Sequence, residues 1–197
     1  MVKNFFTILF IAALGLGSEG ASGAESETLP LIADRDWSSK SQLWLARAFI
    51  SESDWYAERD HIAIAYVIYR RWKLIRRDYK RYPFVEVIRQ YCSGLGRFEK
   101  LITLRQAWLN DLSLDARRPE SWPRDLAWDA YRPLWEAALK RAEDWHLGQY
   151  EDPCNGMAMH FGGDMDRPRP YMKKLDCGKT RNNFYAVERY FTTRAKP

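Results

Sequence analysis

The chain reads as an α+β fold, mainly α, with a small β-sheet or hairpin supplied by its C-terminal third. Two observations predict this. Between Leu45 and Ala142, apolar residues recur at the three- and four-residue spacing of helices. From Asp152 the character changes: Pro153, Gly156, Gly162, Gly163, Pro168, Pro170 and Gly178 interrupt any helix, and Asn183 to Phe191 alternates as a strand does.

The N-terminal stretch stands apart. Lys3 precedes an apolar run from Phe5 to Leu16, and small residues follow. That is the layout of a secretory signal peptide, with cleavage expected after Ala24 in Ser22-Gly23-Ala24. The run is short for a bilayer span, and no later run is long enough to cross. The expected organisation is therefore a signal peptide at 1–24 and a single domain at 25–197, exported to the periplasm or the exterior.

The formal net charge is +5, and the leader holds one Lys and one Glu, so the mature part keeps the whole excess. A basic surface suits an anionic polymer such as cell wall, nucleic acid or membrane, and charge alone does not choose among them. Export permits disulfides. Three cysteines cannot all pair within one chain. Cys154 and Cys177 bracket a loop-rich segment and form the expected bridge, which leaves Cys92 unpaired. The three histidines are scattered and no Cys/His spacing fits zinc, so no metal or other cofactor is expected.

The elements follow in order. Residues 25–37 read as an irregular lead-in. Ser39 with Gln42 forms a capping-box pattern, so the first helix is expected to start there and run to Glu52. A turn from Ser53 to Ala57 leads into a second helix over about 58–76, apolar on most sides and therefore a core helix. Its basic end, Arg70, Arg71, Lys73, Arg76, Arg77, Lys80 and Arg81, reads as a solvated terminus favoured by the helix dipole. Pro83 opens a short helix that Gly94 and Gly96 end. Phe98 to Asn110 reads as another helix. Ser121-Trp122-Pro123 is expected to cap a longer one that continues to Trp145, with Leu134, Ala137, Ala138 and Ala142 inward and Gly148 closing it.

One carboxylate is out of place in this pattern. Leu45, Ala48, Phe49 and Glu52 fall on one helix face, and only the last is charged. A carboxyl group at the end of a buried face is expected to have a raised pKa, because desolvation disfavours its charged form, and can then serve as a general acid. A glutamate at a helix end is also a common partner for nearby arginines, and Arg47 and Arg59 are close in sequence.

The segment from Ala46 resembles the cell wall hydrolases of the spore-cortex-lytic enzyme (SleB) type. Ala46, Arg47 and Glu52 match their opening A-R…E, and Arg71 matches the arginine that ends the following helix, with Arg70 in place of an asparagine. Asp152, Pro153, Gly156, Ala158 and Phe161 resemble a second block of that family, and Phe184-Tyr185 resembles its closing G-x-H-x-F-Y. Thr180 stands where that glycine would be and Asn182 where the histidine would be. An amide replaces a histidine's hydrogen bond but not its titration. Glu52-Ser53 also resembles the Glu-Ser pair of lysozyme-like lytic transglycosylases. The resemblance implies a lysozyme-like helical domain that acts on peptidoglycan glycan strands, with Glu52 as catalytic acid; a monomer is expected, and no nucleic-acid partner, since no metal-binding carboxylate cluster is evident.

That chemistry cleaves the β-1,4 bond between N-acetylmuramic acid and N-acetylglucosamine. A hydrolase uses a second carboxylate about 5–5.5 Å away for retention or about 6.5–9.5 Å away for inversion. A lytic transglycosylase uses one acid/base and leaves a 1,6-anhydro ring. Asp54, Glu58, Asp60, Asp164 and Asp166 are the candidates for a second carboxylate, and none stands out by spacing. The resemblance and the lack of a clear partner favour the lytic route. Ser53, Trp55, Tyr56, His160, Phe161, Asn182 and Tyr185 are the expected substrate-side residues: Ser53 to bond Glu52, Trp55 and Tyr56 as flat surfaces for sugar rings, and Tyr185 to orient the acid or the sugar. The alternative is a secreted, non-catalytic module that binds peptidoglycan or another polyanion through its basic helix.

Overall fold

The computed structural model describes residues 30–78, 82–95, 104–162 and 169–187. The expected signal peptide, Asp164, Asp166 and the end of the last predicted strand lie outside them. The first helix, α1, is Ser39–Glu52. Its N-cap is Ser38, whose hydroxyl accepts from Ser41 N–H at 3.2 Å. The expected Ser39/Gln42 box does not form, because Gln42 donates instead to the Leu139 carbonyl at 3.1 Å. A tertiary acceptor has replaced the local one. Leu45, Ala48 and Phe49 are fully buried, as the periodicity requires. Truncating a buried phenylalanine such as Phe49 costs about 3–5 kcal/mol.

Among the described residues four more α-helices surround it: α2 (Glu58–Asp78), α3 (Phe84–Tyr91), α4 (Leu104–Asp111) and α5 (Trp128–His146). α1 packs against α5 and α3, and α2 lies against α1, α3 and α5. The core closes around Trp145, which stacks on Phe84 with ring centroids 6.1 Å apart and meets the edges of Tyr66 and Tyr69. α5 begins at Trp128, later than expected at Ser121–Pro123. The Ser121 hydroxyl bonds the Asp111 carboxylate, and the Trp122 indole donates to Leu126 O at 2.9 Å, so this stretch turns before the helix starts. The buried face of α5 carries Trp135, Ala138, Leu139, Ala142 and Trp145, while Ala137 is exposed. Gly148, at φ 76°, closes it with a bond to Trp145 O, as a C-terminal glycine does.

Among the described residues three short strands follow: β1 (His160–Gly162), β2 (Met172–Leu175) and β3 (Asn183–Val187). They form one antiparallel sheet in the order β1-β3-β2, with His160 opposite Tyr185 and Lys174 also opposite Tyr185 on the other side. The fold is α+β and mainly α. The turn before β1 is built on Asp152, whose carboxylate accepts from Cys154 N–H and Gly156 N–H, each at 2.9 Å. Asn155 and Gly156 both adopt positive φ there. Cys154 and Cys177 are disulfide-bonded with Cα atoms 4.6 Å apart, and Cys92 is free and buried. Closing a loop of this size stabilises a fold by about 3 kcal/mol. Among the described residues no helix is long and apolar enough to cross a membrane.

The basic end of α2 is not a solvated face where it meets this sheet. Arg70 pairs with Asp152 and donates to Ala158 O, and Arg71 donates to Met159 O at 2.7 Å. These arginines supply donors to the backbone that enters β1, so they fasten the helical layer to the sheet.

Candidate active site

Glu52, the last residue of α1, lines a groove of about 410 Å³. Ser51 lies beside it. The end of α3 and the turn after it contribute Tyr91, Ser93 and Gly94, β1 contributes His160, Phe161 and Gly162, and the loop before β3 contributes Asn182. Two layers that are far apart in sequence meet here.

Each wall is fixed to Glu52 by a backbone contact. Gly94 N–H donates to Glu52 Oε1 at 2.6 Å across 42 residues. Glycine is required there by close approach: a Cβ on Gly94 would lie 2.6 Å from Ser51 O. On the other side Asn182 Nδ2 donates to the Glu52 carbonyl at 2.9 Å. Asn182 is itself held by Asp60, a buried carboxylate that accepts from Arg181 N–H at 2.9 Å and Asn182 N–H at 2.8 Å. The amide that stands where the resembled family has a histidine therefore positions the end of α1.

The turn after Glu52 has its own anchor. His61 is fully buried and stacks on Phe49 with centroids 4.9 Å apart. Arg141 donates to His61 Nδ1 at 2.8 Å, so Nε2 carries the hydrogen and donates to Asp54 O at 2.6 Å. Burial, and then the Arg141 charge, lower the His61 pKa to about 3, so the ring is neutral near pH 7. Arg141 also pairs with Glu58.

On the opposite wall the Tyr91 hydroxyl lies 2.7 Å from His160 Nδ1. The Arg71 guanidinium sits 3.8 Å above the Tyr91 ring. Burial pushes the Tyr91 phenol up, against the opposing effects of Arg71 and of Phe161 N–H, so it keeps its proton at neutral pH. Beneath the groove, burial pushes the Cys92 thiol well up, and the Glu52 charge adds to it. Cys92 is therefore a buried thiol and not a nucleophile.

The residues expected from sequence divide. Glu52, His160, Phe161 and Asn182 line one groove. Ser53 does not: its hydroxyl is buried and has no hydrogen-bond partner among the described residues, so it does not bond Glu52. Tyr185 is 3% exposed and packs behind His160, with centroids 6.1 Å apart. It supports the wall and does not line the groove. Trp55 turns away into a cluster with Trp108, Trp122 and Tyr131, with its ring stacked 6.0 Å from Trp108. Tyr56 is 76% exposed, but it lines a separate depression with Arg59 and Arg181. Trp108, Trp122, Trp128, Trp135 and Trp145 are buried and offer no open ring face.

The candidate second carboxylates are engaged elsewhere. Asp54 accepts from Tyr56 N–H at 2.7 Å and pairs with Arg181. Glu58 pairs with Arg141, and Asp60 holds the loop before β3. Among the described residues that line the groove, Glu52 is the only carboxylate. Arg47 and Arg59, the arginines nearest in sequence, donate to Leu112 O and Cys177 O. Among the described residues no group of three or more His, Cys, Asp or Glu is placed to hold a metal ion.

Sequence reasoning missed Tyr91 and His61, named Gly94 only as a helix end, and named Asp60 only as a candidate second carboxylate and not as the anchor of Asn182. For Asp60 and His61 one signal was present: both are polar residues at the start of an otherwise apolar helix. Gly94 and Tyr91 carried none beyond helix termination. Compared with protein-family models, curated proteins and solved structures, the chain finds no match.

Proposed function

We propose that this chain is a peptidoglycan-cleaving glycosidase of lysozyme-like type, acting on the β-1,4 bond between N-acetylmuramic acid and N-acetylglucosamine as a lytic transglycosylase. The observation that carries the reading is the Glu52 carboxylate, lone among the described groove residues and held by Gly94 N–H. Oε1 accepts from Gly94 N–H, which holds the carboxyl group at the groove. Glu52 protonates the bridging oxygen as the bond breaks, and the resulting carboxylate takes the proton of the sugar's own 6-hydroxyl as it closes the 1,6-anhydro ring. Atoms balance without water, and one carboxylate serves both steps. The resemblance to the SleB-type hydrolases supports the same assignment. The disulfide fits an oxidising compartment, in keeping with export and with a wall substrate.

The contact with Gly94 also gives the alternative its footing, because a carboxylate that ties two elements together has a structural use in a non-catalytic wall-binding module. Turbidity clearing of purified peptidoglycan separates the two. The catalytic reading predicts clearing by the wild type and none by Glu52→Gln. Sedimentation with the wall but no clearing by the wild type supports the binding module and overturns the enzyme.

A further inference from the structure

We infer that Tyr91 is a positioning residue that fixes His160 as an Nε2–H hydrogen-bond donor in the Glu52 groove, so that His160 is not a second base. The inference rests on the glycosidase reading for its functional meaning, but its geometry stands by itself. A phenol oxygen has two acceptor positions and one hydrogen. Tyr91 Oη accepts from Phe161 N–H and from Arg71, so its acceptor positions are taken. Its hydrogen is left for the neighbour at 2.7 Å, His160 Nδ1. Nδ1 is then the acceptor, and the neutral ring carries its own hydrogen on Nε2. Burial keeps the phenol protonated, so the direction of this bond does not reverse near neutral pH. Protonating Nδ1 would set an N–H against the Tyr91 O–H, beside the Arg71 guanidinium. Tyr185 packs on the same ring from β3, and Glu52 is the charged group of the groove they share.

The consequence is mechanistic. A histidine that activates water must offer a lone pair to that water. In His160 the Nδ1 lone pair is bonded to Tyr91 and Nε2 holds a hydrogen. In this tautomer the ring can donate to an acceptor on the glycan, such as an N-acetyl carbonyl, while its one lone pair faces Tyr91 and not a water. No second base then stands in the groove from this wall, which leaves Glu52 to act in both directions.

The test is ¹⁵N–¹H correlation spectroscopy of the imidazoles in the full chain at neutral pH, with the His160 signals assigned by their loss in His160→Gln. The expected spectrum shows His160 with a bare Nδ1 and a protonated Nε2, and Tyr91→Phe mixes the two tautomers. A protonated Nδ1 in the wild type, or an unchanged tautomer in Tyr91→Phe, overturns the assignment. If Tyr91→Phe does not fold, the wild-type tautomer alone decides. In a cleavage assay His160→Gln lowers the rate about tenfold, the size of one lost hydrogen bond. A fall of about 10²–10⁴, the range for a lost general base, contradicts a donor role. A wild-type protein that does not cleave glycan defeats the glycosidase reading while the spectra still decide the tautomer, so the two failures are separable.

Discussion

Two clusters flank the turn after α1, and they are built on opposite principles. On one side Glu52 faces a groove whose walls are joined by hydrogen bonds to backbone groups: Gly94 N–H on its carboxylate and Asn182 on its carbonyl. On the other side Trp55 enters an aromatic cluster with Trp108, Trp122 and Tyr131. The aromatic side gains stability from buried area, which is large and tolerant of direction. The polar side gains placement, because each bond fixes an atom to within tenths of an ångström and contributes only about 1 kcal/mol net. Only two residues, Ser53 and Asp54, separate Glu52 from Trp55 in sequence. Stability and chemistry are therefore expected to respond to different substitutions.

The contrast breaks or holds first on a pair of variants. Glu52→Gln is expected to lower cleavage by at least about 10²–10⁴ with an unchanged unfolding midpoint. The amide oxygen still accepts from Gly94, so the fold is kept. Trp122→Ala is expected to do the reverse, lowering stability by about 3–5 kcal/mol in urea unfolding while the folded fraction retains its cleavage rate. If Trp122→Ala abolishes cleavage in protein that remains folded, the aromatic cluster belongs to the site and the division fails.

Gly94→Ala sharpens the boundary from the polar side. Its new Cβ would press on Ser51 O at 2.6 Å, so the turn must move and the bond to Glu52 lengthens. A loss of about 1–3 kcal/mol and a larger proportional loss of cleavage are expected, measured on the same preparation. An effect on stability alone would show that the Gly94 bond does not place the acid.

A pH series tests His61, which joins the two clusters through the turn. Its folded pKa of about 3 lies below the unfolded value of 6.5. Between them the unfolded chain binds the extra proton. The stability that His61 contributes is therefore complete above 6.5 and is lost as pH falls toward 3. Urea midpoints in His61→Phe are expected to fall less steeply over that window than in the wild type. Parallel slopes would mean that His61 is not held neutral. The smallest effect is expected for Asn182→Ala, about 1 kcal/mol in stability from one lost side-chain bond, with a modest fall in cleavage as the end of α1 loosens.

What the sequence showed follows the same division. Apolar spacing placed Leu45, Ala48 and Phe49 inward and brought Glu52 to the end of a buried face, and the Gly/Pro change at Asp152 marked the sheet. The Cys154–Cys177 bridge was legible because those cysteines bracket a loop. Trp55 was not, since a tryptophan in a turn reads alike whether it lines a groove or plugs a cluster. Arg70 and Arg71 read as a solvated run because the carbonyls of Ala158 and Met159 that they bond are backbone atoms with no sequence signature, and Asp152, which pairs with Arg70, lies 82 residues away. Gly94 was hidden for the same reason: a single N–H finds a carboxylate 42 residues away. Side-chain patterns disclose burial, while backbone donors and acceptors become visible only once the chain is folded.

The most direct measurement is mass spectrometry of the fragments released from purified peptidoglycan. Glu52 acting alone as acid and then base predicts 1,6-anhydro-N-acetylmuramic ends, lighter than reducing ends by one water, and no fragments from Glu52→Gln. Reducing ends without anhydro product would place a water-activating group opposite Glu52, and cleavage by Glu52→Gln would remove this residue from the chemistry.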